Sequence, residues 1–138
     1  MAQTPEDALA RLAAEAAIRD VLARYCHAVD DGDLAALGAC FADDAELHAF
    51  GRDRTGREAI TALLDKVIPA DRRGKHLTAN TVIGDITAGP DGTGSAHASS
   101  DFAFLGPDGS VTTGRYEDDL VTSGGQWQIA TRRILLRE

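Results

Sequence analysis

The hydrophobic period of this chain changes at Gly74, and that change limits what the chain can fold into more than any other feature. Before it, apolar residues recur at helical spacing, and Ile18, Val21, Leu22, Tyr25, Cys26 and Val29 form one stripe. Thr4-Pro5-Glu6-Asp7 supplies an N-cap, a proline at the first helical position and acidic residues in the first turn, and Gly32 marks the other end. Asp33 caps a short second helix, LAALGACF. A strand is expected over residues 44–50, DAELHAF, followed by GRDRTG as a turn. REAITALLDKVI reads as a third helix that stops before Pro69.

Beyond Gly74 the period is two. KHLTANTVIGDI, GTGSAHASSDFAFL, SVTTGRYEDDLVTS and QWQIATRRILL read as four strands joined through GPDG, GPDG and SGG, as in an antiparallel meander. Helices followed by one such sheet make an α+β fold, the sheet curling around the long first helix. With 138 residues and no repeat or linker, the chain reads as a single domain over residues 1–138.

The net charge of −8 sets this chain against polyanions, so neither nucleic acid nor an anionic membrane surface is an expected partner. The N-terminus lacks a basic segment followed by an apolar run, and no stretch reaches the ~20 apolar residues that span a bilayer. Cys26 and Cys40 stand among apolar neighbours in predicted helices, as buried free thiols of a reducing cytoplasm do.

Polar residues beside the stripe carry the functional signal. At ~100° per residue, Tyr25 lies within it and Asp30 borders it, whereas His27 and Asp31 fall on the solvated side. On the strands, His76, Thr78 and Asn80 share one face, as do His97, Ser99 and Asp101, and Tyr116 and Asp118 alternate with Arg115, Glu117 and Asp119. The ordinary reading of each row is a polar face shown to water, and of Tyr25 a core aromatic. A sheet wrapped into a half-open cone brings the rows together with Tyr25 and Asp30 around a cavity. There Asp30 would orient His76 as a general base, and the Tyr25 hydroxyl would hold an oxygen on which charge develops. Such a set suits removal of a proton next to a carbonyl, then elimination or isomerisation. The four histidines show no HxH or HExxH spacing, no serine or cysteine sits in a GxSxG motif, and GPDGTG does not open a helix. Acid–base chemistry without metal or cofactor is the expectation.

IRDVLARYCHAVDDGDLAALGACFADDAEL, with GREAI, KHLTAN, GRYEDDL and the WQIATRR of the last strand, resembles the SnoaL-like family from about Ile18 to Ile134. That family belongs to a superfamily of α+β cones with scytalone dehydratase, ketosteroid isomerase, bile-acid 7α-dehydratase and hexachlorocyclohexane dehydrochlorinase. The resemblance implies a long N-terminal helix and two shorter ones on a strongly curved mixed or antiparallel sheet, assembled as a homodimer or homotrimer. Asp30 and His76 match the Asp–His pair of the dehydratase and dehydrochlorinase branches, and Tyr25 matches the tyrosine of the bile-acid enzyme. Asp101 matches a pocket aspartate, and Arg132, or Arg133 if the register differs by one, matches an arginine that binds a leaving group. The first-strand carboxylate of the steroid isomerase has no counterpart at His48 or Ala49, although Tyr25 and Asp118 resemble its oxyanion-binding pair. The combined expectation is a dehydratase-like lyase for a small hydrophobic hydroxylated or carbonyl substrate. Tyr25, Asp30 and His76 would be catalytic, and His48, Asn80, Asp101, Tyr116, Asp118 and Arg132 would contact substrate. A polyketide cyclase, a double-bond isomerase and a non-catalytic binding subunit are the alternatives.

Overall fold

A computed structural model of the protein describes residues 3–137. The capping box forms as the sequence requires: Thr4 Oγ1 accepts from the Asp7 N–H at 3.0 Å, and the Asp7 carboxylate accepts from the Thr4 N–H at 3.2 Å. The first helix, α1 (Pro5–Asp31), ends at Gly32, whose φ of +67° lets its N–H reach the Ala28 and Val29 carbonyls. Its burial begins at Ile18; Leu9 and Leu12 are exposed, so the first turns contribute length rather than core. Next come α2 (Leu34–Ala39), β1 (Phe41–Ala49), β2 (Arg52–Thr55) and α3 (Arg57–Val67). A 3₁₀ turn (Ala70–Arg72) then leads into β3 (Lys75–Ala88), β4 (Gly94–Leu105), β5 (Val111–Thr122) and β6 (Trp127–Arg137).

These strands make one six-stranded sheet in the order β2-β1-β6-β5-β4-β3, curved into a cone that α1 and α3 close. The last four form the expected meander, but β1 runs parallel to β6, so the sheet is mixed. Ile18, Val21 and Leu22 of α1 and Ile60, Leu63 and Leu64 of α3 pack against Ala98, Leu120 and Ile129 of the sheet. Each large side chain so buried stabilises the fold by about 1.5–3 kcal/mol. No described helix is long and apolar enough to cross a membrane.

Three local expectations need correction. GRDRTG contains a strand: Arg52–Thr55 pairs antiparallel with β1 as an edge strand too solvated to show alternation. Strand β1 starts at Phe41 rather than residue 44, which shortens the second helix by taking its last aromatic into the sheet. In β3 the period of two breaks at Asn80, whose φ is +54°, and the register jumps from Ala79 opposite Asp101 to Val82 opposite Ser99. Past this bulge Ile83 points inward and Asn80 is left on the outside.

Candidate active site

Asp30 sits in the last turn of α1, where the helix dipole disfavours a carboxylate. It is held there by β3. The backbone N–H of His76 donates to both carboxylate oxygens, at 2.9 and 3.1 Å, and the ring Nδ1 lies 2.6 Å from Oδ1. Both side chains are nearly sealed, at 5% and 6% exposure. Facing a carboxylate, Nδ1 is the protonated nitrogen, which leaves the lone pair of the neutral ring on Nε2. Phe104, with its ring centre 4.6 Å from that of the imidazole, and Phe102, at 6.4 Å, fix the plane of the ring.

His76 borders a cavity of about 470 Å³. Leu64, Val67 and Ile68 wall it on the helix side, and Phe102, Phe104 and Ile134 on the sheet side. Phe50 reaches in from the β1–β2 hairpin, where it and Gly51 hold φ of +58° and +70° to make a two-residue turn. Asp71, Arg72 and Asp108 stand at the mouth. Among the described residues no three or more histidine, cysteine, aspartate or glutamate side chains converge as a metal cluster.

The deep end of the cavity is aromatic and polar together. Tyr25 and Tyr116 line it, each 2% exposed, with ring centres 5.8 Å apart and the planes near perpendicular. Beneath them Arg132 and Asp118 form a two-pronged ion pair, Nε to Oδ1 at 2.7 Å and Nη2 to Oδ2 at 2.9 Å, both residues essentially inaccessible. The Arg132 guanidinium carbon lies 3.8 Å from the Tyr116 ring centre and 4.2 Å from that of Tyr25. Burial pushes the Tyr25 hydroxyl up to about 12, although Arg132 works the other way. Burial likewise lifts Tyr116 well above the ordinary phenol value. Both phenols therefore keep their protons at neutral pH and can serve as hydrogen-bond donors.

The structure thus brings Tyr25, Asp30, His76 and Tyr116 to one place, with Asp118 and Arg132 directly behind. Of the two arginines, Arg132 turns inward and Arg133 outward. Of the six expected substrate contacts only Tyr116 lines the cavity: Asp118 and Arg132 are sealed behind it, spent on each other, and three lie elsewhere. His48 faces out from β1 and meets Asp53 at 2.8 Å. Asn80 and Asp101 are on the outer face, where Asp101 accepts from Asn80 Nδ2 at 3.1 Å and from Arg115 Nε at 2.8 Å. The physical reason is plain in β4: its inward row is Ala96, Ala98, Ser100 and Phe102, so His97, Ser99 and Asp101 meet water. The phenylalanine walls and the charged mouth were not among the expected site residues. Phe102 and Phe104 carry an alternation signal, but Asp71, Arg72 and Asp108 lie in turns with no period to read.

The profile of the SnoaL-like domain family matches residues 10–133. Among solved structures, a Mycobacterium tuberculosis protein of unknown function is similar at 26% identity and TM-score 0.77, covering 100% of this chain and 79% of that one. A Novosphingobium aromaticivorans protein provisionally assigned as a scytalone dehydratase gives 21% identity and TM-score 0.74, covering 93% of this chain and 87% of its own. A hexachlorocyclohexane dehydrochlorinase gives 20% and 0.75, covering 94% and 89%. No curated protein matches the chain in sequence.

Proposed function

The chain belongs to the SnoaL-like domain family, and from that premise we propose that it is a cofactor-independent lyase of the dehydratase type acting on a small hydrophobic hydroxylated carbonyl compound. The observation that carries this reading is the buried Asp30–His76 pair at the wall of an apolar cavity. Two of the similar folds bear names denoting loss of water and of hydrogen chloride, which are eliminations in which a proton is removed.

In the proposed reaction His76 Nε2 takes the proton from the carbon next to the carbonyl. The C–H electron pair moves onto the carbonyl oxygen, which becomes an enolate near Tyr25. Asp30 stabilises the imidazolium and holds its ring in place. As the enolate re-forms the carbonyl, the bond to the β-hydroxyl breaks, and the imidazolium returns its proton so that water leaves. One water is lost, a C=C bond is formed, and the histidine ends neutral.

The test is proton exchange. A panel of cyclic β-hydroxy ketones is incubated with the protein in D₂O and followed by ¹H NMR. The wild type is expected to exchange the α-proton and release the enone with at least one panel member, and His76→Gln to lose about 10²-fold or more of that rate. Binding of the panel in the cavity without any exchange would overturn the reading.

A further inference from the structure

We infer that Phe50 determines substrate specificity: held at the cavity opening by a strained turn, it forms with Leu136 an apolar lip that binds a hydrocarbon substituent of the substrate. The inference deepens the lyase reading and rests on it, since that reading places the carbonyl end of the substrate at His76.

The lip starts from an unfavourable backbone. Ala49 pairs with Arg52, so Phe50 and Gly51 alone make the β1–β2 turn, with φ of +58° and +70°. Such a turn needs left-handed backbone at both positions, and asparagine, aspartate or glycine normally fills the first. Elsewhere among the described residues, the non-glycine positions with positive φ are Asn80 and Asp91, types that tolerate it. Phenylalanine does not: its β-carbon crowds the following carbonyl, which disfavours the folded state roughly five- to thirtyfold. Strain of this kind persists where the side chain it presents has a use.

Core packing is not that use. Phe41 and Phe102 are sealed, at 0% and 7% exposure, whereas Phe50 lines the cavity and is still 38% exposed. Leu136 is in the same condition at 49%, and no other large hydrophobic residue left exposed lines the cavity. The two come from neighbouring strands, because β1 lies beside β6 in the sheet. Both therefore carry bare apolar surface that only an occupant of the cavity covers from within.

The charged residues enter from the other half of the sheet. Asp71 and Arg72 stand in the 3₁₀ turn before β3, and Asp108 in the β4–β5 turn. The opening thus has one apolar side and one charged side. A cavity of about 470 Å³ holds more than one small ring. The class that fits is a cyclic carbonyl compound with a short alkyl or aryl substituent remote from the carbonyl, lying against Phe50 and Leu136.

The test is a ligand series, cyclohexanone and its 4-methyl, 4-ethyl and 4-propyl derivatives, titrated into the protein by calorimetry. Wild type is expected to gain about fourfold in affinity per added carbon, as burial of a methylene gives. Phe50→Asn suits the left-handed turn and removes the ring. Its gain per carbon should fall below about twofold while cyclohexanone itself binds as before. Phe50→Leu, which keeps an apolar side chain, should retain most of the gain. Phe50→Gly and Phe50→Ala both lack the ring, and the first should fold more favourably by about fivefold or more. His76→Gln should keep every increment while losing proton exchange, so this result stands or falls separately from the lyase reading. A flat series in wild type, a Phe50→Asn variant that weakens all the ketones equally, or equal stability of Phe50→Gly and Phe50→Ala would each overturn the inference. So would unchanged increments in Phe50→Asn with a fall in molecular mass by light scattering, which would assign the lip to a second copy of the chain.

Discussion

The guanidinium of Arg73 lies on the bare α-carbon of Gly32, so close that a β-carbon built there would stand 2.1 Å from Cζ. This contact ties the end of α1 to the segment entering β3, between Asp30 on one side and His76 on the other. Gly32 meets two demands at once, a φ of +67° and room for Arg73. Gly32→Ala is expected to cost about 1–2 kcal/mol from the left-handed backbone, with a smaller steric part because the atoms met are the far end of the flexible Arg73 side chain. In an Arg73→Ala background the steric part should vanish and the backbone part remain. Urea denaturation of the four proteins in that cycle measures both, and equal costs in the two backgrounds would show that the contact is slack.

The Asp30–His76 bond makes a prediction about the tautomer. Asp30 accepts from Nδ1 in wild type, so the neutral His76 ring should be almost wholly the Nδ1–H form. Asparagine in that place offers a weaker acceptor and a competing donor. In Asp30→Asn the Nε2–H form should therefore rise, and any elimination activity should fall by about 10²-fold or more. Imidazole ¹⁵N shifts report the tautomer directly, and an unchanged spectrum in the variant would separate Asp30 from the orientation of the ring.

These two residues also show what the sequence made legible. Asp30 could be placed because it borders a clean helical stripe, and His76 because it opens a strand of period two; both signals are local. Tyr116 and Asp118 alternate with charged residues in β5 and were equally readable, since both of their neighbours want water. Asn80 was not, because one left-handed residue shifts the side chains that follow to the other face until a second irregularity between Ile83 and Ile86, and asparagine tolerates that conformation without further mark. In β4 both rows had claims on the cavity, the polar one by chemistry and the apolar one by packing. The concave face is held against helices, so packing prevailed and Asp101 went outside. The parallel pairing of β1 with β6 joins the two ends of the sheet-forming chain, and no local period encodes it.

The ion pair behind the phenols should behave asymmetrically on mutation. Arg132→Met alone leaves the inaccessible Asp118 carboxylate without its cation, and Asp118→Leu alone leaves the guanidinium without its anion. Either single change should destabilise the fold by about 3–5 kcal/mol, whereas the pair of changes together should cost far less or nothing. Thermal and urea unfolding of the two single variants and the double variant decide it. Additive losses in the double variant would mean that packing, rather than the unpaired charge, sets the cost.

Outside the cone, His97 is held between two carboxylates, with Nδ1 3.1 Å from Asp119 and Nε2 2.9 Å from Glu117. Only the doubly protonated ring donates to both, and these bonds, that to Asp119 foremost, raise its pKa above 6.5. The folded state therefore holds this proton more tightly than the unfolded chain. The stabilisation is complete below the unfolded value and is lost as pH climbs through the raised folded one. The ring is more than half exposed, so solvent screening keeps the effect small. Wild type should exceed His97→Gln in stability by more at about pH 6 than at about pH 9, where the neutral ring gives up one of the two bonds. Urea midpoints for both proteins across that range measure the difference, and a gap that does not narrow with rising pH would show that His97 is not held as a cation.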